Sequence, residues 1–410
     1  MGILSPKGTE RTMMKPKIGV MGTIRGITFI QLLQTMGDQA CLWAVCESDE
    51  KQLEKAKKDI PDHVTVYTDY DAFLDSGIDA VVLCNYFHEH TGCAIKAMQK
   101  GIHVLSDTTA APTLGECVAL CKAVEDTGAK YMLGANGPYK KCIQFMKRQI
   151  EAGKLGDIYY AEAEYLHDAD PNFAFADDCT HWRRSLPATY YNMHTLGTLM
   201  YMTNTMPRKV TARAINNPRR RELRNMLHDC GAFSLCEMDN GAVFNVTGCS
   251  NYGPTSKWFR LNGEHGAMES KRYDETIVYF ASAADHFYPD EPIPVIEEYK
   301  PSYSEMNMVS EDEYANFTEE QMKLGHGGID FWMLLNFIKY LRNEYEPFFN
   351  VYRACAVSAA GILGWRSILN GCQEYEIPDF SDVQARKVYE NDFVTPFVSK
   401  DNPNYIPGMI

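Results

Sequence analysis

Between Lys17 and Leu133, short apolar runs rich in β-branched residues alternate with stretches whose apolar positions recur every three to four residues. KIGVMG, CLWAVC, VTVYT, AVVLCN, HVLSD and Tyr131-Met132-Leu133 predict six strands. ITFIQLLQTMG, DEKQLEKAKKDI, DAFLDSG, TGCAIKAMQKG and TLGECVALCKAVEDTG predict the helices between them, with Gly77, Gly101 and Gly128 in C-cap position. WAVC and AVVLC are apolar throughout, as strands covered on both faces are. This rhythm predicts a doubly wound parallel sheet. Beyond it the pattern changes to a helix, CIQFMKRQIEAGKLG, and then to longer alternating strands: IYYAEAEYLHD, KVTARAIN, AFSLCEMDNGAVFNVTGCS, KWFRLNGEHGAMESK and TIVYFA. Asp239-Asn240-Gly241 marks a hairpin inside the third. TYYNMHTLGTLMYMTN predicts one continuous helix, FWMLLNFIKYLRN and YRACAVSAAGILGWRSILNG two more, and 289–323 a long surface loop.

Length and charge narrow the picture. A chain of 410 residues suits two cores, and no stretch reaches the roughly 18 apolar residues of a membrane span. A net charge of -14 disfavours a nucleic-acid partner, and the run Arg219-Arg220-Arg221 reads as a solvated loop. The opening residues lack a signal-peptide core, and the thirteen cysteines form no disulfide framework, so a cytoplasmic protein with reduced thiols is expected. Cys179 and His181 offer two metal ligands, but no second pair at ligand spacing completes a site, and no metal is expected.

The first strand runs into Gly22-Thr23-Ile24-Arg25-Gly26 and then a helix, the geometry that seats a pyrophosphate on a helix N-terminus. This turn is one residue shorter than the full GxGxxG fingerprint and carries Ile24 where the middle glycine belongs. Glu47, at the end of the second strand, suits a ribose diol and disfavours a 2′-phosphate, so NAD is expected rather than NADP. An ordinary exposed acid is the other reading of Glu47. The expected architecture is therefore α/β plus α+β: an extension over 1–15, a Rossmann domain over 16–139, a substrate domain with an open antiparallel sheet over 140–380, and a tail over 381–410. An open sheet with one bare face predicts a homo-oligomer, a dimer or a tetramer.

Three segments, IDAVVLCNYFHEHTGCAIKAMQKGIHVLSD, the Thr113-Leu114-Gly115-Glu116 helix start and GHGGIDFW, resemble the Gfo/Idh/MocA oxidoreductases in order and spacing. The resemblance implies that Asn85, Tyr86 and His90 lie near the cofactor, with Asp107, Thr108 and Asn136 on the same side, and that the second sheet forms a sugar site. Within that family the second domain is similar to the NAD-dependent family 109 glycoside hydrolases, through HisTrpArgArg with Arg183, through Tyr191 and His194, and through Tyr165-Leu166-His167-Asp168. Two departures stand out. Thr108 occupies the place of the lysine in the family's Glu-Lys-Pro, and Ala135 the place of the hydrolases' glutamate.

Removing a hydride from a carbinol carbon requires a base for the hydroxyl proton. Without the lysine, His194 is expected to serve, its ordinary pKa of about 6.5 lying far closer to neutrality than a tyrosine's. Tyr191 and Tyr165 are expected as hydrogen-bonding or relay partners, and Asn136 and His167 as further contacts. Arg183 and Arg184 would bind a sugar acid or sulfate, or else an aspartate, Asp177 or Asp178. His326 is a further substrate candidate, while Asp330 reads as a helix cap. Three functions are compatible with these residues. One is an NAD-dependent dehydrogenase oxidising a ring hydroxyl, at C3, of a sugar or glycoside. The second is a glycosidase working by oxidation, elimination and re-reduction. The third is a sugar and NAD sensor without catalysis.

Overall fold

The computed structural model describes residues 15–167, 182–223, 226–248, 252–281, 295–302 and 317–397. Six strands form the first sheet: β1 (Lys17–Met21), β2 (Cys41–Cys46), β3 (Thr65–Tyr67), β4 (Ala80–Leu83), β5 (His103–Ser106) and β6 (Tyr131–Leu133). All pairings are parallel in the order β3-β2-β1-β4-β5-β6. The direction of winding reverses between β1 and β4, and it is outside the carboxyl ends of strands at such a point that open α/β sheets bind ligands. β4 is buried along its whole length, as its unbroken AVVL implies. Gly77, Gly101 and Gly128 all adopt positive φ where the helices end.

The second sheet has nine strands: β7 (Ile158–Leu166), β8 (Pro207–Ile215), β9 (Gly231–Met238), β10 (Val243–Thr247), β11 (Ser256–Gly263), β12 (Gly266–Ser270), β13 (Ile277–Ala281), β14 (Val295–Tyr299) and β15 (Tyr375–Glu376). Its order is β14-β13-β12-β11-β7-β10-β9-β8-β15. The sheet is antiparallel as expected except for one parallel pairing. The meander β8-β9-β10 returns to lie beside β7 with β10 running parallel to it, while β11 pairs antiparallel on the other side. Asp239-Asn240-Gly241 does turn β9 into β10, with Gly241 at φ 84.

Three further expectations change. The stretch 289–323 is not all loop, since β14 pairs with β13 and a helix, Glu319–Lys323, starts at a capping box made by Thr318 and Gln321. Arg219-Arg220-Arg221 lies in a short helix, Pro218–Leu223. The helix expected over 189–204 divides into a 3-10 segment, Ala188–His194, and an α-helix, Leu196–Thr203, with Tyr191 itself at non-helical φ -99, ψ 33. Packing explains the division. The segment is wedged between backbones, where a Cβ on Gly248 would stand 2.1 Å from the Ala188 carbonyl oxygen and one on Gly361 would stand 2.7 Å from that of Thr189.

The long helices Ile329–Leu341 and Val351–Leu369 are buried on nearly every side. Phe331, Trp332, Leu334 and Leu335 of the former share one core with Ile18, Val20, Phe29 and Val82 of the first sheet and its helices. The cysteines among the described residues are free. No helix among the described residues is long and apolar enough to cross a membrane.

Candidate active site

The helix Thr23–Thr35 begins directly after Gly22, which takes φ 85. A Cβ on Gly22 would stand 2.7 Å from both the Asn85 nitrogen and the Cys84 carbonyl oxygen, so only glycine lets β1 turn this close to the end of β4. The Gly22 N–H donates to the Cys46 carbonyl at 2.9 Å, tying the turn to β2. Beside it the Glu47 carboxylate accepts from the Thr23 N–H at 2.7 Å and the Thr23 hydroxyl at 2.9 Å through Oε2, and from the Asp49 N–H at 3.0 Å through Oε1. Glu47 is therefore no ordinary exposed acid: it is 8% exposed and set against the helix N-terminus. A carboxylate offers about four acceptor positions. Three are used here, and a ribose hydroxyl would take the fourth or displace Thr23. Ile24, in the place of the middle glycine, is 56% exposed. A glycine turn that excludes any side chain, a helix N-terminus and an adjacent acid fit a dinucleotide.

On the other side of the switch point a buried ion network draws on distant parts of the chain. Arg25 donates to Asp107 at 3.0 Å through Nε and to Asp330 at 2.8 Å through Nη2. Asp330 also accepts from Asn136 Nδ2 at 3.3 Å and from His326 Nδ1 at 2.7 Å. Burial would raise the Asp330 carboxyl, but the bond from His326 and the charge of Arg25 outweigh it and hold the group at about 2. Asp330 is not the helix cap expected from its position, since the cap residue is Gly328 and Asp330's buried side chain holds this network together. His90 is buried, with Nδ1 3.2 Å from the Thr109 carbonyl and Nε2 3.1 Å from that of Asn85. It thereby ties the loops after β4 and β5 to each other. Thr108 is buried beside them, and Tyr86 stands half-exposed at the loop after β4.

The substrate candidates converge on one face of the second sheet. Tyr165, near the end of β7, places its ring 4.5 Å from that of His194, and Tyr191 lies 5.0 Å from His194. Tyr165 and Tyr191 are 6.3 Å apart, and His167 is 5.8 Å from Tyr165. The Arg183 guanidinium carbon sits 4.5 Å above Trp182 and 5.9 Å from Tyr191. Cys179, His181, Asp168, Asp177 and Asp178 lie outside the described residues. Phe87, from the loop after β4, stacks on Trp182 at 5.0 Å and on Tyr191 at 6.1 Å, so the switch-point loop and the ring cluster meet.

One chemical expectation changes here. Burial, with Lys257, Lys140, His326 and His167 adding positive charge, pushes His194 well below the ordinary histidine value rather than leaving it near 6.5. His167 is lowered by burial and by Arg183 and Lys257. Sequence reasoning missed Lys257, Lys140, Phe87 and the network role of Asp330. For Lys257 a signal was present. In SerLysTrpPheArgLeu the inward phase reads Lys257, Phe259, Leu261, and a cation on an apolar face needs a reason.

Comparison with known proteins agrees with this geometry. The family described as oxidoreductase family, NAD-binding Rossmann fold, matches residues 17–135, and the GFO/IDH/MocA C-terminal domain matches 143–269. The chain belongs to the Gfo/Idh/MocA oxidoreductases, and its first domain is their NAD-binding domain. In its second half, residues 234–387 match the C-terminal domain of glycosyl hydrolase 109. A family 109 glycosyl hydrolase protein of Solibacter usitatus is 25% identical over 93% of each chain. An alpha-N-acetylgalactosaminidase of Tannerella forsythia is 24% identical over 82% of this chain and 80% of its own. Among solved structures, a levoglucosan dehydrogenase in complex with NADH and L-sorbose superposes with a TM-score of 0.69 at 18% identity, over 90% of this chain and all of the other.

Proposed function

We propose that the protein is an NAD-dependent dehydrogenase that oxidises a ring hydroxyl, at C3, of a sugar or glycoside. The observation that carries this reading is the stacking of Phe87 on Tyr191, which brings the loop beside the dinucleotide turn against the Tyr165-Tyr191-His194 cluster. Gly22, Thr23, Ile24 and Arg25 line the turn and Glu47 receives the ribose, with Asn85, Tyr86, Asp107, Thr108 and Asn136 around the remainder and His90 positioning two of its loops. NAD, when bound, supplies the hydride acceptor. Tyr165 and Tyr191 orient the sugar hydroxyl, and an imidazole nitrogen of His194 takes its proton. Low basicity does not bar His194 from that role, because the hydroxyl becomes strongly acidic as its carbon approaches a carbonyl. His326, aligned by Asp330, and His167 and Arg183 hold the rest of the sugar.

The glycosidase reading is favoured by one specific observation, the match of residues 234–387 to the hydrolase 109 domain. A C3 ketone acidifies the C2 proton and so prepares elimination of the aglycone. Against it, Ala135 stands where the hydrolases carry a glutamate, whereas Thr108, in place of the family's lysine, weighs equally on the dehydrogenase. The deciding experiment incubates the protein with NAD and a panel of aryl glycosides, following NADH and aglycone separately. Stoichiometric NADH without aglycone is expected. Aglycone release with NAD needed only in catalytic amount would establish the glycosidase instead, and firm sugar binding with neither product would leave the sensor.

We further infer a cytoplasmic homo-oligomer that acts on a small molecule and not on nucleic acid, supported by the net charge of -14 and by the bare face of the second sheet.

A further inference from the structure

We infer that the substrate carries an anionic substituent, a carboxylate or a sulfate ester, received in the cavity between Lys140 and Lys257 beside the ring cluster. This rests on the sugar-dehydrogenase reading for what else is bound there. Lys257 of β11 stands directly opposite Tyr165 of β7, and opposed residues of paired strands share a face. The Lys257 ammonium lies 4.9 Å from the centre of the Tyr165 ring, which is itself 4.5 Å from His194. A cavity of about 320 Å³ opens at this point, lined by Lys257, Lys140, Phe259, Ser270 and Arg272 among others. Lys140 enters it from the start of the helix Lys141–Glu151, its ammonium 5.6 Å from the Phe259 ring.

The cations of this cavity divide into two kinds. Lys271 is paired with Glu298 at 2.7 Å and Arg272 with Glu164 at 3.2 Å, while of the two acids in the lining Glu275 is taken by Lys141 at 3.2 Å and Asp274 accepts from the Thr276 N–H at 2.7 Å. The Lys140 side chain, by contrast, makes no hydrogen bond and no ion pair among the described residues, and burial pushes its ammonium down, outweighing the opposing charge of Glu275. Taking an ammonium out of water without a counter-charge is unfavourable. An oxyanion between Lys140 and Lys257 would relieve that penalty and form charge-assisted hydrogen bonds with both ammonium groups. The same positive field that depresses His194 and His167 is then the field an acidic sugar would complement. A charged group at C6 of a hexose hangs from C5, separated from C3 by C4 alone, so it can reach the Lys257 ammonium beside Tyr165 while the reacting carbon stays at Tyr165, Tyr191 and His194.

The test titrates the NAD-loaded protein calorimetrically with methyl glucoside, methyl galactoside, their uronates and their 6-sulfates. At least tenfold tighter binding of an acidic form over its neutral parent is expected, shrinking in 0.5 M salt. The two acidic arms separate carboxylate from sulfate. Lys140→Met should remove the preference and Lys140→Arg retain it, and Lys257→Met supplies an independent variant should the first fail to fold. Equal binding of neutral and acidic sugars, or a preference that survives both methionine variants, overturns the inference. NADH and aglycone are read in parallel. Acid-selective binding without either product would refute the dehydrogenase and leave the anion site standing, whereas NADH from neutral sugars without acid preference would do the reverse.

Discussion

At His194 burial and four neighbouring cationic or titratable groups act in one direction. Its ring is neutral well into the acid range, ready to accept a proton but poor at keeping it. His194→Ala is expected to reduce turnover by about 10²–10⁴-fold while leaving NAD affinity intact, as intrinsic fluorescence would report. In the unaltered protein the acid limb of kcat/KM falls below the ordinary histidine value, and Lys257→Met, by removing a positive charge, moves it to higher pH. Stability follows the same sign. The unfolded chain takes up the His194 proton before the fold does, so stability is lost as pH falls below about 6.5 toward the folded value. The resemblance to the family 109 hydrolases singled out His194, Tyr191 and Tyr165 in the sequence, and the structure brings their rings together. Asp330 was not legible there, because the residue that explains it, Arg25, lies 305 positions away and no local pattern announces the pair.

Among the elements, the helix Leu114–Thr127 shows how far local rules reach. Thr113 accepts from the Glu116 N–H at 3.2 Å and donates to the Glu116 carboxylate at 2.6 Å, a start that the sequence ThrLeuGlyGlu announces. Burial nonetheless raises Glu116 to about 7, against the opposing bond from Thr113. A carboxyl raised in this way supports the fold fully below its unfolded value and loses that support as pH rises through 7. Glu116→Gln should therefore flatten the decline in thermal stability between pH 5 and pH 8, by on the order of 2 kcal/mol if the shift is fully expressed. An unchanged decline would mean that the carboxyl ionises freely in the fold. The segment before the helix Leu196–Thr203 is the opposite case. Its apolar period reads as one helix, but pressure from Gly248 and Gly361 bends it, and contacts of that kind leave no mark on a local pattern. The mixed pairing of β7 with β10 was hidden for a related reason: alternation reports which residues face inward, not which way a neighbouring strand runs.

For the whole molecule, the outer face of the second sheet exposes Phe233, Leu235 and Val243 on adjacent strands, with Leu235 opposite Asn245 and Thr211. Such a face, unlike scattered apolar residues, suits association of two copies about a two-fold axis. If the proposed homo-oligomer forms through this face, Leu235→Arg lowers the mass measured by sedimentation equilibrium to that of one chain, and a one-chain mass for the unaltered protein would refute the association. The helix Ile329–Leu341 packs instead on the first sheet. Its Phe331, Trp332, Leu334 and Leu335 complete a core whose other half, including Ile18, Val20 and Phe29, is translated some three hundred residues earlier. During synthesis the cofactor half therefore leaves the ribosome with an apolar flank uncovered and must wait for nearly the whole chain before it can close. A protein made this way is expected to depend on chaperones while nascent, and its first 139 residues expressed alone should aggregate, although they contain every strand of their own sheet.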